Sequence, residues 1–146
     1  MKEALVGLRR NHVVLVVDDE PTVLRLLERK LRDEPYCLLT TSQAGMAAGW
    51  LQACDVSLVI ADQWMPELNG LELLRAVAET SPTTQRVLLT AAASGEVVLG
   101  SLADRIRMLM TKPWDAHDLR RRIRLLLRER ELDLERRELN AEMARG

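Results

Sequence analysis

The stretch His12-Val13-Val14-Leu15-Val16-Val17-Asp18-Asp19-Glu20-Pro21 decides how this chain folds. A nearly continuous apolar, β-branched run is the pattern of a central strand whose two faces are both buried under neighbouring layers. The run stops at three carboxylates. Pro21 then opens a helix, because its missing N–H would have no partner in a first turn in any case. Val23, Leu24, Leu27 and Leu31 repeat behind it at helical spacing, and Pro35 marks the end.

Downstream the same alternation continues. Residues 37–41, 56–61, 86–90 and 106–110 read as further strands, and residues 43–53, 71–79 and 96–103 as helices, with Asn69-Gly70 as a turn. Asp115 is placed to cap a last helix running from 116 to about 140. Strands alternating with helices predict a doubly wound (βα)5 domain of the α/β class, with a five-stranded parallel sheet, helices on both faces and an extended C-terminal helix.

The chain has 146 residues, 47% of them apolar, enough for one buried core. Its 21 basic and 22 acidic residues nearly cancel, so no global field favours nucleic acid or an anionic surface. Cys37 and Cys54 lack metal-type spacing and read as reduced core thiols, which points to the cytoplasm. No run approaches the roughly 20 apolar residues that span a bilayer, and residues 1–10 lack the apolar centre of a signal peptide, so no membrane partner is expected.

Ligands of an open parallel sheet bind outside the carboxyl ends of its strands, where the strand order reverses. Asp18 and Asp19 fall just past the first strand, Asp62 past the third, Thr90 at the end of the fourth and Lys112 past the fifth. Three carboxylates brought together repel unless a cation joins them, and a hard, oxygen-liganded ion such as Mg²⁺ suits them. A carboxylate can also attack phosphorus to form an acyl phosphate if the surrounding charge is neutralised, which Mg²⁺ and Lys112 would do. The Thr90 hydroxyl could donate to a phosphoryl oxygen only in the modified state, and so act as a switch.

Val17-Asp18-Asp19-Glu20-Pro21, Ala61-Asp62, Met65-Pro66, Asn69-Gly70, Leu88-Leu89-Thr90-Ala91 and Thr111-Lys112-Pro113 resemble the receiver domains of two-component response regulators. Intervals of 43, 28 and 22 residues separate Asp19, Asp62, Thr90 and Lys112, and the order of the pieces makes the resemblance specific. It implies a flavodoxin-like three-layer sandwich over residues 11–127, preceded by a segment 1–10 and followed by a charged helical extension 128–146. It implies Asp62 as phosphoacceptor, Asp18, Asp19, Asp62 and the backbone carbonyl of Trp64 as ligands of Mg²⁺, Thr90 as switch hydroxyl and Lys112 as phosphoryl partner. The implied function is a conformational switch, not a turnover enzyme, with a histidine kinase or phosphotransfer protein as donor. A cis Lys112–Pro113 bond belongs to the same pattern. The neighbourhood of Asp62 and Lys112 looks most like receivers that precede HD-GYP or histidine-kinase modules.

Leu109 stands where the family commonly has an aromatic residue, so coupling to the output must run through aliphatic packing or the backbone. Ala91, Ala92 and bulky Trp64 offer nothing to position a water, which implies slow loss of phosphate. An aspartyl-phosphate hydrolase is the enzymatic rival, but such folds usually place a second Asp where this chain has Trp64. The alternative reading is a degenerate receiver serving as a phosphorylation-independent interaction or dimerisation module. Leu125, Leu132 and Leu139 are seven apart on the last helix, as in a coiled coil, but the matching second seam position is mostly charged, as on a solvated helix; the expected output partner is a second copy through this helix or an effector protein. Arg120, Arg121, Arg122, Arg124 and Arg128 form a basic patch on that helix, but acidic residues follow and no aromatic residues interleave, so nucleic acid is not an expected partner. His12 and His117 read as surface or strand-edge residues.

Overall fold

The computed structural model describes residues 7–66, 69–90 and 115–146, together with the backbone of 108–111. The predicted helix at 96–103, Ala91, Ala92, Lys112, Pro113 and Trp114 lie outside the described residues, as does the side chain of Leu109. The elements are β1 (Val13–Val17), α1 (Pro21–Lys30), β2 (Cys37–Thr41), α2 (Ala44–Ala53), β3 (Leu58–Asp62), α3 (Gly70–Thr80), β4 (Gln85–Thr90), β5 (Met108–Thr111) and α4 (Ala116–Arg145). The strands are all parallel in the order β2-β1-β3-β4-β5. The order reverses between β1 and β3, where a flavodoxin-like sheet opens its ligand crevice.

The period of two along each strand divides its side chains between two cores. Val14 and Val16 of β1, with Ile60 and Leu89, pack against α1 and α4. Leu15 and Val17, with Val59 and Leu88, meet α2 and α3 on the other side. This double burial is why β1 is an almost unbroken apolar run. Full burial of one such side chain contributes about 1.5–3 kcal/mol. Pro21 occupies the first turn of α1, and Asp115 caps α4 by accepting from the Asp118 N–H at 3.0 Å.

Two expectations are corrected. Cys37 and Cys54 are free thiols but exposed, because Cys37 opens β2 at the sheet edge and Cys54 is the residue that ends α2. His12 is buried, not at the surface. Its Nδ1 meets Ser57 Oγ at 2.8 Å and its Nε2 meets Glu131 Oε2 at 2.7 Å. A carboxylate only accepts, so Nε2 carries the proton in the latter bond.

Glu131 also accepts backbone N–H bonds from Arg9 and Arg10, and its neighbour Arg130 reaches Asp55, the Thr83 carbonyl and Ser57. Burial pushes the Glu131 carboxyl up. The Arg10 N–H, the His12 side chain and the Arg9 N–H outweigh that and hold it below the ordinary carboxylate value. This polar cluster, together with a two-bond Arg124–Glu34 pair, fastens α4 to the domain. The apolar contribution of α4 ends at Leu127, but its packing continues through Arg130 and Glu131.

Candidate functional site: an acidic pocket at the carboxyl ends of β1 and β3

Parallel register between β1 and β3 pairs Val17 with Ala61, so the next residues, Asp18 and Asp62, leave the two strands side by side. Asp62 closes β3, one residue later than the sequence reading ends that strand. Asp18 and Asp62 are buried and Asp19 is half-buried. Asp18 is fixed by its N–H to the Thr41 carbonyl at 3.2 Å, and its Oδ1 accepts from the Glu20 N–H at 2.9 Å. Carboxylate oxygens of Asp18, Asp19 and Glu20 all lie within 4.8 Å of one another. Glu20 is not among the ligands predicted from sequence. It precedes α1 without capping it, so its carboxylate is not engaged in holding the helix.

Asp62 is positioned from behind. The Gln63 N–H donates to the Leu89 carbonyl on β4 at 2.9 Å, and the Gln63 carbonyl accepts from the Gly70 N–H at 3.0 Å. The buried Gln63 side chain accepts from the Leu71 N–H at 3.1 Å. One residue thus joins the end of β3 to β4 and satisfies two first-turn donors of α3. Asn69 adds the cap, accepting from the Glu72 N–H at 2.8 Å. Gly70 gives the close approach, since a Cβ there would stand 2.9 Å from both the Asp62 carbonyl carbon and Leu88 Cδ1. Sequence reading identifies Asn69-Gly70 as a turn and misses Gln63, which no periodicity marks.

Thr90, fully buried, ends β4 opposite Thr111 on β5. Trp64 follows Gln63 and is 64% exposed. The structure therefore brings Asp18, Asp19 and Asp62 to the crevice between β1 and β3 and sets Thr90 at the end of the adjoining strand, while Lys112 lies outside the described residues. His12 is at the opposite end of β1, about 20 Å from Asp18 along six residue steps of extended chain. The clustered carboxylates of Asp18, Asp19 and Glu20 form an all-oxygen, hard donor set, the chemistry that suits Mg²⁺ and not a softer metal.

A parallel sheet with its acidic crevice at the reversal point defines a flavodoxin-like α/β fold. Residues 14–124 match the sequence profile of the response regulator receiver domain, and the chain belongs to that family. The chain is 36% identical over 102 residues to the hydrogenase transcriptional regulatory protein HoxA of Cupriavidus necator, covering 69% of this chain and 21% of that protein. It is 30% identical over 133 residues to the transcriptional regulatory protein CitT of Halalkalibacterium halodurans, covering 88% and 58%. The chain thus spans between a fifth and somewhat over half of these relatives. Among solved structures, the signal receiver domain of an HD domain-containing protein from Pseudomonas fluorescens superposes with a TM-score of 0.80 at 28% identity, covering 84% of this chain and 98% of the other. A CheY-like receiver domain from Methanospirillum hungatei gives 0.80 at 26%, covering 85% and 99%. This chain is a receiver domain of the two-component response regulator type. Among the described residues no helix is long and apolar enough to cross a membrane.

Proposed function

We propose that the chain works as a phosphorylation-controlled switch whose acceptor is Asp62. The observation that carries this reading is a buried aspartate at the reversal point, next to a carboxylate trio and held by Gln63 and Gly70. An Asp62 carboxylate oxygen attacks the phosphorus of a phosphohistidine or acyl phosphate. The new O–P bond forms as the donor's N–P or O–P bond breaks, and the donor leaves with the bonding pair. A Mg²⁺ ion held by Asp18, Asp19, Asp62 and the Trp64 carbonyl, with Glu20 beside them, would offset the charge of the carboxylates and the phosphoryl oxygens. Lys112 supplies the second positive charge and Thr90 the hydroxyl that donates to the phosphoryl group.

The two cores on opposite sheet faces support a three-layer (βα)5 sandwich, with the receiver at 11–127 and an extension at 128–146. The phosphodonor is a histidine kinase or phosphotransfer protein, and the output is an effector or a second copy acting through α4. The relatives named above are transcriptional regulators, and one structural neighbour comes from an HD domain-containing protein. Both fit a role as the regulated module of a signalling protein, not a turnover enzyme. Two exposed free thiols fit a reducing cytoplasm. The arginines of α4 engage Asp118, Glu34, Glu131 and the Lys30 carbonyl, which favours a structural role for them over nucleic-acid binding.

Intact-mass spectrometry after incubation with Mg²⁺ and acetyl phosphate tests this. A phosphate-sized gain that disappears in Asp62→Asn and on chelation is expected. A chain that takes up no phosphate and binds no Mg²⁺ would move the assignment to the phosphorylation-independent interaction module.

A further inference from the structure

We propose that the cavity between α4 and the loop leading into β4 binds a small phosphate monoester. Its volume is about 420 Å³, within the range of about 300–1,000 Å³ usual for small-molecule sites. It lies at the amino end of β4, the opposite end of that strand from Thr90 and the acidic pocket. Residues 129, 130, 133, 136 and 137 recur at helical spacing and turn one face of α4 over the loop at 82–84. Around the cavity stand four guanidiniums, of Arg86, Arg130, Arg136 and Arg137, and two carboxylates, of Glu129 and Asp133. Among the described residues the lining therefore carries a surplus of two positive charges. Arg86 and Glu129 each hold a further interaction, and the surplus counts formal charges whichever groups pair. Asp55 reaches Arg130 from outside the lining, and with it included one positive charge still remains in excess. A phosphate monoester carries about −1.5 to −2 charges at neutral pH, the complement of this surplus.

The arginines are of two kinds, and the difference suits a ligand arriving from solvent. Arg86 and Arg130 are only 6% and 3% exposed. Carbonyls of the loop hold both: Arg86 Nη1 donates to the Thr84 carbonyl at 2.8 Å, and Arg130 Nε to the Thr83 carbonyl at 3.1 Å. The bonds of Arg130 to Thr83, Ser57 and Asp55 take up three of the five N–H donors of a guanidinium, so they fix it without exhausting it. Donors fixed in advance lose little freedom on binding, and a charge screened from water attracts an anion more strongly than an exposed one. Arg136 and Arg137 stand on the solvent side, 73% and 54% exposed. Both hold the same carboxylate, Asp133, at 2.7 Å and 3.1 Å. A phosphoryl group can take over that two-guanidinium grip, because surface pairs of this kind are weak enough to exchange. The bound ester would bridge the loop to α4 just beyond Leu127, the last core residue of the helix, and stiffen the start of the extension.

The test is calorimetric titration of the full chain with glycerol phosphate, in buffer with a chelator and no divalent ion so that the acidic pocket takes no part. Saturable binding that weakens with added salt is expected. Arg136→Gln and Arg137→Gln should each weaken it about fivefold, the loss of one surface charge contact. Asp133→Asn should tighten it by a similar factor, because the carboxylate competing for both guanidiniums is gone. A purely structural role for these side chains would lower stability without raising affinity. All three are at least partly exposed, so the variants keep the fold, which circular dichroism would verify. Succinate has a similar charge on two separate planar groups and should bind more weakly than a phosphate, whose three oxygens can accept from loop and helix together. Absence of saturable binding, indifference to both arginine changes, a weaker complex in Asp133→Asn, or succinate held as tightly as the ester would each overturn the assignment.

Discussion

Gly70 packs directly against the backbone carbonyl of Asp62, leaving no room for a side chain between α3 and the end of β3. An added methyl would also press on Leu88 of β4, whose side chain belongs to the core. The Asp62 carbonyl is backbone and the Leu88 methyl is held within the core, so the strand end itself must move. Gly70→Ala is expected to cost about 1–3 kcal/mol by overpacking. It should also slow phosphoryl uptake by more than the loss of folded protein explains, because the residue displaced is the proposed acceptor. Urea unfolding and the rate of mass gain with acetyl phosphate would measure both. A variant of parental stability and rate would show that the contact does not position Asp62.

Gln63 is the other support. Gln63→Leu keeps the volume and loses the acceptor for the Leu71 N–H, leaving that donor unpaired in a partly buried first turn. The expected cost is about 1–2 kcal/mol. Hydrogen exchange should rise at the start of α3 while the N-terminal half of β1 stays protected. Uniform exchange across the domain would mean that Gln63 acts on global stability alone.

These two residues also mark where sequence reading stops. The apolar run ending in Asp18 and the helical spacing from Val23 to Leu31 betray β1 and α1, because double burial and a core-facing stripe are one-dimensional patterns. The carboxyl-end rule then places Asp18, Asp62 and Thr90 at one edge without any coordinates. Gln63 and Glu20 are invisible to such patterns: one is a polar residue whose partner lies eight positions away, the other a helix-flanking acid whose proximity to Asp18 and Asp19 depends on the turn into α1. His12 escapes for a related reason. A histidine opening a strand looks exposed, and only the return of α4 brings Glu131 over it. The exposure of Cys37 likewise depends on strand order, which makes β2 an edge.

The His12–Glu131 contact carries a pH dependence. The Glu131 carboxyl is held below its ordinary value of 4.5, so the folded state binds the proton more weakly than the unfolded chain. The resulting stabilisation is fully present above about pH 4.5 and is lost as pH falls through the lowered folded value. Glu131→Gln removes it. At neutral pH the variant should be less stable by about 1–3 kcal/mol, with two backbone N–H groups and His12 facing a poorer acceptor. As pH falls below about 4.5 the difference should shrink, because the unfolded chain takes up the proton first and the native carboxylate follows at its lowered value. Denaturant unfolding at both pH values would measure it, and a difference that grows in acid would contradict the assigned direction.

Glu20 offers a way to separate charge from fold at the pocket. Its side chain does not cap α1, so Glu20→Gln should leave that helix and the thermal midpoint unchanged. Its carboxylate nonetheless shares the 4.8 Å cluster with Asp18 and Asp19. Removing one full charge about 5 Å from a divalent ion in a water-like dielectric should weaken Mg²⁺ binding roughly tenfold. Asp19→Asn, nearer the buried floor of the pocket, should weaken it more, because a less solvated charge is less screened. Calorimetric Mg²⁺ titration of the parent and both variants would rank them. If Glu20→Gln bound Mg²⁺ as tightly as the parent while Asp19→Asn did not, the third carboxylate would be a bystander at the pocket mouth and the ion would be held by the aspartates alone.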